Sequence, residues 1–414
     1  MEPIPAPGAG LDRISQIDGR YAWTRLVMSV LIATIGSVGM WSVVVVMPAI
    51  EAEFGTMRAA SSLPYTMTMV GFAIGNVYMG RFVDKAGILL PVIGSAFALG
   101  IGYAAAALAP SIWVFAVVQT LIGFGAAATF GPLIADISHW FVKRRGVAVA
   151  AAASGNYFAG AIWPLVIQAV LPDWGWRATY FGIGTFALVT MVPLALTFLK
   201  ARAPDLGSGA HAVAPKPVRS IDLSPRQLQI LLSIAGLGCC VAMSMPQVHI
   251  VAYCVDLGFG MSTGAEMLSL MLIGGVVSRL ASGFLADHIG GVKTLLIGSV
   301  FQMLALAAYI PFDGLASLYV VSLVFGLSQG GIVPSYAIIV REYLPAHEAG
   351  QRVGLVIMAT IIGMALGGWL SGLIYDITGS YQAAFLNGIA WNMMNVVIMA
   401  MILWRTRLRG TRTA

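Results

Sequence analysis

Apolar runs about twenty residues long, divided by short polar breaks, follow one another from Arg25 to Trp404. A helix rises about 1.5 Å per residue, so such a run matches a hydrocarbon core about 30 Å thick. Inside that core every backbone N–H and C=O must find its partner within the segment, and these runs are therefore read as membrane helices. The residue balance agrees: 59% are hydrophobic and only 10% charged, where soluble domains carry about 25% charged residues. About twelve helices are expected, at approximately 25–48, 60–79, 88–109, 111–135, 146–171, 178–199, 227–252, 264–285, 293–312, 316–340, 353–375 and 382–404.

Basic residues set the orientation, because Lys and Arg are retained in the cytoplasm. Of the 23 basic residues, only Arg58 and Arg177 fall on the opposite side, and Arg279 lies inside a span. The expectation is a multi-pass protein of the cell (inner or plasma) membrane with both termini cytoplasmic. The net charge of +6 then reflects topology and contact with anionic membrane lipids, and no nucleic-acid partner is implied. Residues 1–24 read as a cytoplasmic tail and not a signal peptide, since the run from Val27 to Pro48 is of spanning length and lacks a small-residue cleavage site. Cys239, Cys240 and Cys254 have no metal or redox spacing and read as small apolar filler.

Residues 201–225 are the longest hydrophilic stretch and read as a linker between a first bundle, 25–200, and a second, 226–404, with a basic tail at 405–414. Ser224-Pro225-Arg226-Gln227 has the pattern of a capping box that starts the second bundle. The halves repeat one another: Gly80-Arg-Phe-Val-Asp84-Lys-Ala-Gly87 follows the second helix, and Gly283-Phe-Leu-Ala-Asp287-His-Ile-Gly290 follows the eighth. The first glycine of each is expected to allow close packing. Asp84 and Asp287 are expected to accept hydrogen bonds from a neighbouring helix N-terminus in one conformation and release them in another. Paired six-helix units of this kind occur in secondary transporters.

Arg279 lies in Met271-Leu-Ile-Gly-Gly-Val-Val-Ser-Arg279, roughly 12 Å from the helix end at Asp287. A charge there costs about 3 kcal/mol or more unless it faces protein or a water-filled cavity and finds a partner. Two readings stand. Arg279 pairs with a fixed carboxylate or backbone carbonyls, or its planar fork holds the carboxylate of a small anion. Gly275 and Ser282, one turn to either side, are expected to leave room and offer a hydroxyl. Tyr65, Gln119, Asn156, Tyr157, Gln329, Ser335 and Tyr336 either line a cavity or join helices by hydrogen bonds. His249 follows Pro246, where a helix break is expected, and reads as a proton relay, a mouth gate or a satisfied interfacial histidine. Asp136 and Glu342, with His139 nearby, are expected to form inter-half salt bridges with Arg144, Arg145, Arg341 or Arg352.

These features together closely resemble the major facilitator superfamily over essentially the whole chain. Its loop signature is carried by Gly80, Asp84 and Gly87 and again by Gly283, Leu285, Ala286, Asp287 and Gly290. Gln119-Thr-Leu-Ile-Gly123-Phe-Gly125 is similar to the fourth-helix motif, with Gln119 where many members have Arg. Gly155-Asn-Tyr-Phe-Ala-Gly160 departs from the antiporter motif of drug exporters. Trp140-Phe141-Val-Lys143-Arg144-Arg145-Gly-Val-Ala148 is similar to a motif of the monocarboxylate transporters and their oxalate/formate-exchanger relatives. In that branch the resemblance gives Arg279 the role of binding a substrate carboxylate. Gly275 stands where proton-coupled mammalian members carry Asp. The first and eleventh helices lack Lys, so one fixed cation suits a monoanion better than a dianion.

The resemblance implies an all-α membrane fold of twelve helices in two six-helix bundles, working as a monomer without a cofactor or metal. The implied activity is secondary transport of a small carboxylate, most simply a monocarboxylate, driven by protons or a counter-anion. An oxalate/formate-type exchanger is the alternative, and a non-transporting sensor or a membrane enzyme the alternatives from other classes. Against an ATPase or an enzyme, the sequence has no G-x-x-x-x-G-K-[ST], H-E-x-x-H or G-x-S-x-G.

Overall fold

The computed structural model describes residues 16–201, 221–344 and 348–412, and among these it is helical with no strand. The first half contains α1 (Arg20–Gly36), α2 (Val38–Phe54), α3 (Arg58–Ala86), α4 (Leu89–Ala107), α5 (Ile112–Ala127), α6 (Gly131–Trp140) and α7 (Arg145–Phe198). The second contains α8 (Pro225–Asp256), α9 (Met261–Ile289), α10 (Gly291–Ala308), α11 (Leu315–Gln329), α12 (Ile332–Tyr343), α13 (Ala349–Thr378) and α14 (Tyr381–Arg412). The pairs α1–α2, α5–α6 and α11–α12 each continue as one span. Helix α7, at 54 residues, is long enough for two crossings and turns at Gly175, where φ is 70°. Six rods therefore stand on each side of residues 202–220, which lie outside the described residues together with most of the expected linker.

Local chemistry explains several boundaries. Ser224 Oγ accepts from the Gln227 backbone N–H at 3.2 Å while Gln227 Oε1 accepts from that of Ser224 at 3.0 Å, completing the capping box that starts α8. In the repeated motif it is the second glycine that acts. Gly87 and Gly290 stop α3 and α9 with φ of 79° and 86°, a region closed to most side chains. Gly80 and Gly283 have nothing within 4 Å of where a Cβ would stand, so the expected close packing at the first glycine does not occur. Asp287 is exposed, and the N-terminal N–H of Gly291 is instead met by Glu342 Oε1 at 3.1 Å. Asp84 lies outside the residues whose side chains are described. Pro246 does not break α8, which runs through it to Asp256.

The repeat is also visible in packing. A Cβ on Gly71 would fall 1.9 Å from the Thr120 carbonyl oxygen, joining α3 to α5, and one on Gly326 would fall 2.0 Å from that of Met271, joining α9 to α11. The second and fourth rods of each half thus touch backbone to backbone, as small residues permit in membranes. The surface is inverted relative to a soluble protein: Val117, Phe181, Val189, Val320 and Val397 are all well exposed at mid-helix, which lipid tolerates and water does not.

Candidate substrate site

Arg279 is buried where the two halves meet. Its Nη1 donates to the carbonyl oxygen of Ala153 on α7 at 2.7 Å, and its Nε to that of Gly330, between α11 and α12, at 3.3 Å. The guanidinium carbon lies 4.2 Å from the centroid of the Tyr157 ring, also on α7. Among the described residues no Asp or Glu pairs with it. A guanidinium has five N–H donors, so three remain beyond the two carbonyl bonds. The charge is therefore held by neutral groups alone, one carbonyl and one ring from the first half and one carbonyl from the second.

The space beside Gly275 is not vacant as the sequence suggested. A Cβ there would stand 2.8 Å from Tyr157 Cε1, so the missing side chain is what lets the ring lie against Arg279. Ser282 is likewise engaged, its Oγ lying where a Cβ on Gly331 would fall, 2.0 Å away.

A second cluster sits at the end of the bundle marked by Arg58, the first residue of α3. Its guanidinium reaches Asp256 on α8 through Nη1 and Nη2 at 3.2 and 3.1 Å, and Glu51 on α2 at 2.9 Å. It also donates to the Tyr381 hydroxyl and stacks 4.7 Å from the Tyr375 centroid. The uncapped start of α3 is closed from the other half, where Asp376 accepts the backbone N–H groups of Arg58 and Ala59 at 2.8 and 2.7 Å. The hydrogen bonds between halves, among the described residues, comprise this lock, Thr66 to the Ala365 carbonyl, and Arg279 to Ala153.

The sequence model of the Major Facilitator Superfamily matches residues 29–350 and 267–413. This chain belongs to that superfamily. Monocarboxylate transporter 13 of Bos taurus is 26% identical over 346 residues, covering 82% of this chain and 78% of the relative. Monocarboxylate transporter 11 of Mus musculus is 28% identical over 335 residues, covering 77% and 71%. Among solved structures, a bacterial homolog to the human lysosomal transporter Spinster, in an inward-facing and occupied conformation, superposes with a TM-score of 0.72 at 13% identity, covering 94% of this chain and 97% of its own. The fold and family make the protein a multi-pass membrane transporter.

In this facilitator the remaining expected site residues divide. Gln119 is fully buried inside the first half, accepting from Thr68 at 3.2 Å and donating to Tyr180 at 3.1 Å. Tyr336 donates to Asn395 at 2.9 Å inside the second, and Ser335 to the Gly331 carbonyl. Asn156 accepts from the Trp41 indole at 3.1 Å. Gln119, Tyr336 and Asn156 join helices, while Ser335 bonds back one turn within its own. Gln329 accepts from Gln247 at 2.7 Å, and its own Nε2, like the Tyr65 hydroxyl, has no partner among the described residues. Asp136 does not bridge the halves: it forms a two-pronged pair with Arg25 of its own half, at 2.9 and 3.0 Å. Arg144 lies 5.9 Å from the Trp23 centroid and is exposed, and Arg352 pairs with Glu348 one turn away. Arg145 lies outside the residues whose side chains are described.

Proposed function

We propose that the protein is a secondary active transporter of a small organic anion, a monocarboxylate, which Arg279 binds by its carboxylate. The observation that carries this reading is a buried guanidinium with N–H donors beyond its two carbonyl bonds and no acidic partner among the described residues. A carboxylate offers it charge-assisted bonds, roughly twice as strong as those to neutral carbonyls. One cation balances one negative charge, which favours a monoanion. The names of the relatives, monocarboxylate transporters 13 and 11, point the same way.

Binding has a mechanical consequence. The two carbonyls that Arg279 now holds come from opposite halves, Ala153 from the first and Gly330 from the second. An anion that takes over the Nη1 donor removes a tie between the halves at mid-bundle, so bound and empty protein differ in the contacts that oppose rocking. That differential contact is what alternating access requires of a substrate.

The test is uptake of labelled lactate, pyruvate, formate and oxalate into proteoliposomes, with and without an imposed pH gradient and with unlabelled anion inside. Saturable entry of a monocarboxylate above protein-free vesicles is expected. Entry only against internal oxalate would favour the exchanger, and binding without entry of any anion would leave a sensor. We also place both termini in the cytoplasm, from the distribution of Lys and Arg. Leu108, exposed at the Arg58 end, and Gly209 supply the two labelling positions. An impermeant thiol reagent on intact cells should modify Leu108→Cys and not Gly209→Cys; the reverse pattern inverts the map.

A further inference from the structure

The Arg58 lock is continued by a residue that the anion site does not use. His249 on α8 is fully buried, its Nε2 2.7 Å from the Gly368 carbonyl oxygen of α13 and its Nδ1 3.0 Å from the Tyr381 hydroxyl of α14. A carbonyl oxygen can only accept, so Nε2 carries the hydrogen, and in the neutral ring Nδ1 is the bare nitrogen. Tyr381 therefore donates its hydroxyl hydrogen to Nδ1, and its oxygen accepts from Arg58 Nη1 at 2.5 Å. The chain Arg58 to Tyr381 to His249 to Gly368 runs in one direction. It is complete only when the imidazole is neutral.

A second hydrogen on the ring reverses one link. Nδ1–H cannot accept from Tyr381, so the phenol must turn its hydrogen away and receive both Arg58 and His249 on a single oxygen, with two cations flanking it. The carboxylates around it are already engaged, with Arg58 or with the start of α3. On α8 itself lie Tyr253, edge-on to Tyr381, and Asp256, which holds Arg58. From α13 come Tyr375, tilted against Tyr381 with its face to Arg58, and Asp376, committed to the first N–H groups of α3. From α3 come Arg58 and Tyr65, the latter against Gly368, and from α2 Glu51, also on Arg58.

We propose that His249 is a proton-binding site that unlatches the lock at the Arg58 end: a proton from bulk water, taken onto Nδ1, reverses the Tyr381–His249 link, sets two cations against the Tyr381 oxygen and favours the conformation in which the halves have parted there. The proton binds the parted state and not the locked one, so acidification shifts the population by mass action. With one proton per molecule the parted-to-locked ratio rises by at most about tenfold per pH unit. The latch acts on the gate and not on the anion, so it stands or falls separately from Arg279.

Spin labels at Leu108→Cys of the first half and Phe312→Cys of the second report the separation at this end in purified, full-length protein. Both positions are exposed, whereas the native cysteines are buried. Between pH 8 and pH 5.5, without anion, the ratio of long to short distances should grow about tenfold in the otherwise unaltered protein, as for a histidine of ordinary pKa near 6.5 in the parted state. His249→Gln, which keeps a donor for Gly368, and His249→Asn, which keeps an acceptor for Tyr381, cannot titrate. Each should hold one distribution across that range, and either one that folds suffices. An unaltered protein whose distances ignore pH, or a non-titrating variant that responds as strongly as it does, overturns the proposal.

Discussion

Arg279→Ala is expected to leave a folded, inserted protein that no longer moves a carboxylate. The guanidinium costs about 3 kcal/mol or more at the middle of a bilayer, and neutral groups recover only part of that cost. Its partners are two carbonyls and a ring, none of them a charge that would be stranded by the substitution. The melting temperature should therefore hold or rise. Transport should fall by at least about thirtyfold, because truncating one member of a buried charge pair typically costs 2–5 kcal/mol. Arg279→Lys keeps the charge and its attraction to the Tyr157 face but loses the two-pronged fork, so binding should weaken by roughly tenfold to a hundredfold. The readout is the thermal stabilisation that each carboxylate gives at matched expression, alongside uptake. A purely structural arginine predicts the opposite: poor expression and a lower melting temperature for Arg279→Ala. A stable variant that still binds and carries the same anion would sink the assignment.

What the sequence could show follows from how each signal is encoded. Spanning helices are written locally, as apolar runs, and were legible at nearly their observed places. Their ends were read short because acids belong to them: Glu51, Asp256 and Asp376 fall within α2, α8 and α13, beyond the apolar stretch. Arg279 was legible because a single charge in an apolar helix stands out. The cover of Tyr157 over it was not, since 122 residues separate the two and only the fold brings that ring into the gap at Gly275. The Arg58 lock was missed for the same reason, with Arg58 and Tyr381 separated by 323 positions. A signal did exist. Glu51, Glu53, Asp256 and Asp376 cluster at the end where only Arg58 and Arg177 supply cations, so those two arginines had to serve several carboxylates.

Asp136→Ala is expected to give the largest loss of stability, about 3–5 kcal/mol, because it strands a buried arginine. Arg25 is 1% exposed and all three of its nitrogens are used: Nε and Nη2 on Asp136, Nη1 on the Tyr21 hydroxyl and on the Phe198 carbonyl oxygen at the end of α7. Its guanidinium carbon also lies 4.7 Å from the Trp140 centroid, so one side chain ties α1, α6 and the end of α7 together. All of these belong to the first half. A tie within one half moves with it when the halves rock, whereas a gate must break once per cycle; the same aspartate cannot do both with these partners. Arg25→Met with Asp136→Leu removes both charges and fills the site with apolar atoms, and it should regain most of the lost stability. Thermal unfolding of the three proteins gives the ordering: unaltered protein and double variant close together, the single variant well below. Transport per folded molecule in the double variant should stay near normal, with an unchanged response to a pH gradient. A double variant that folds well yet loses that response would return Asp136 to the coupling machinery, and the Arg25 pair would then be one state of a switch instead of a fixed brace.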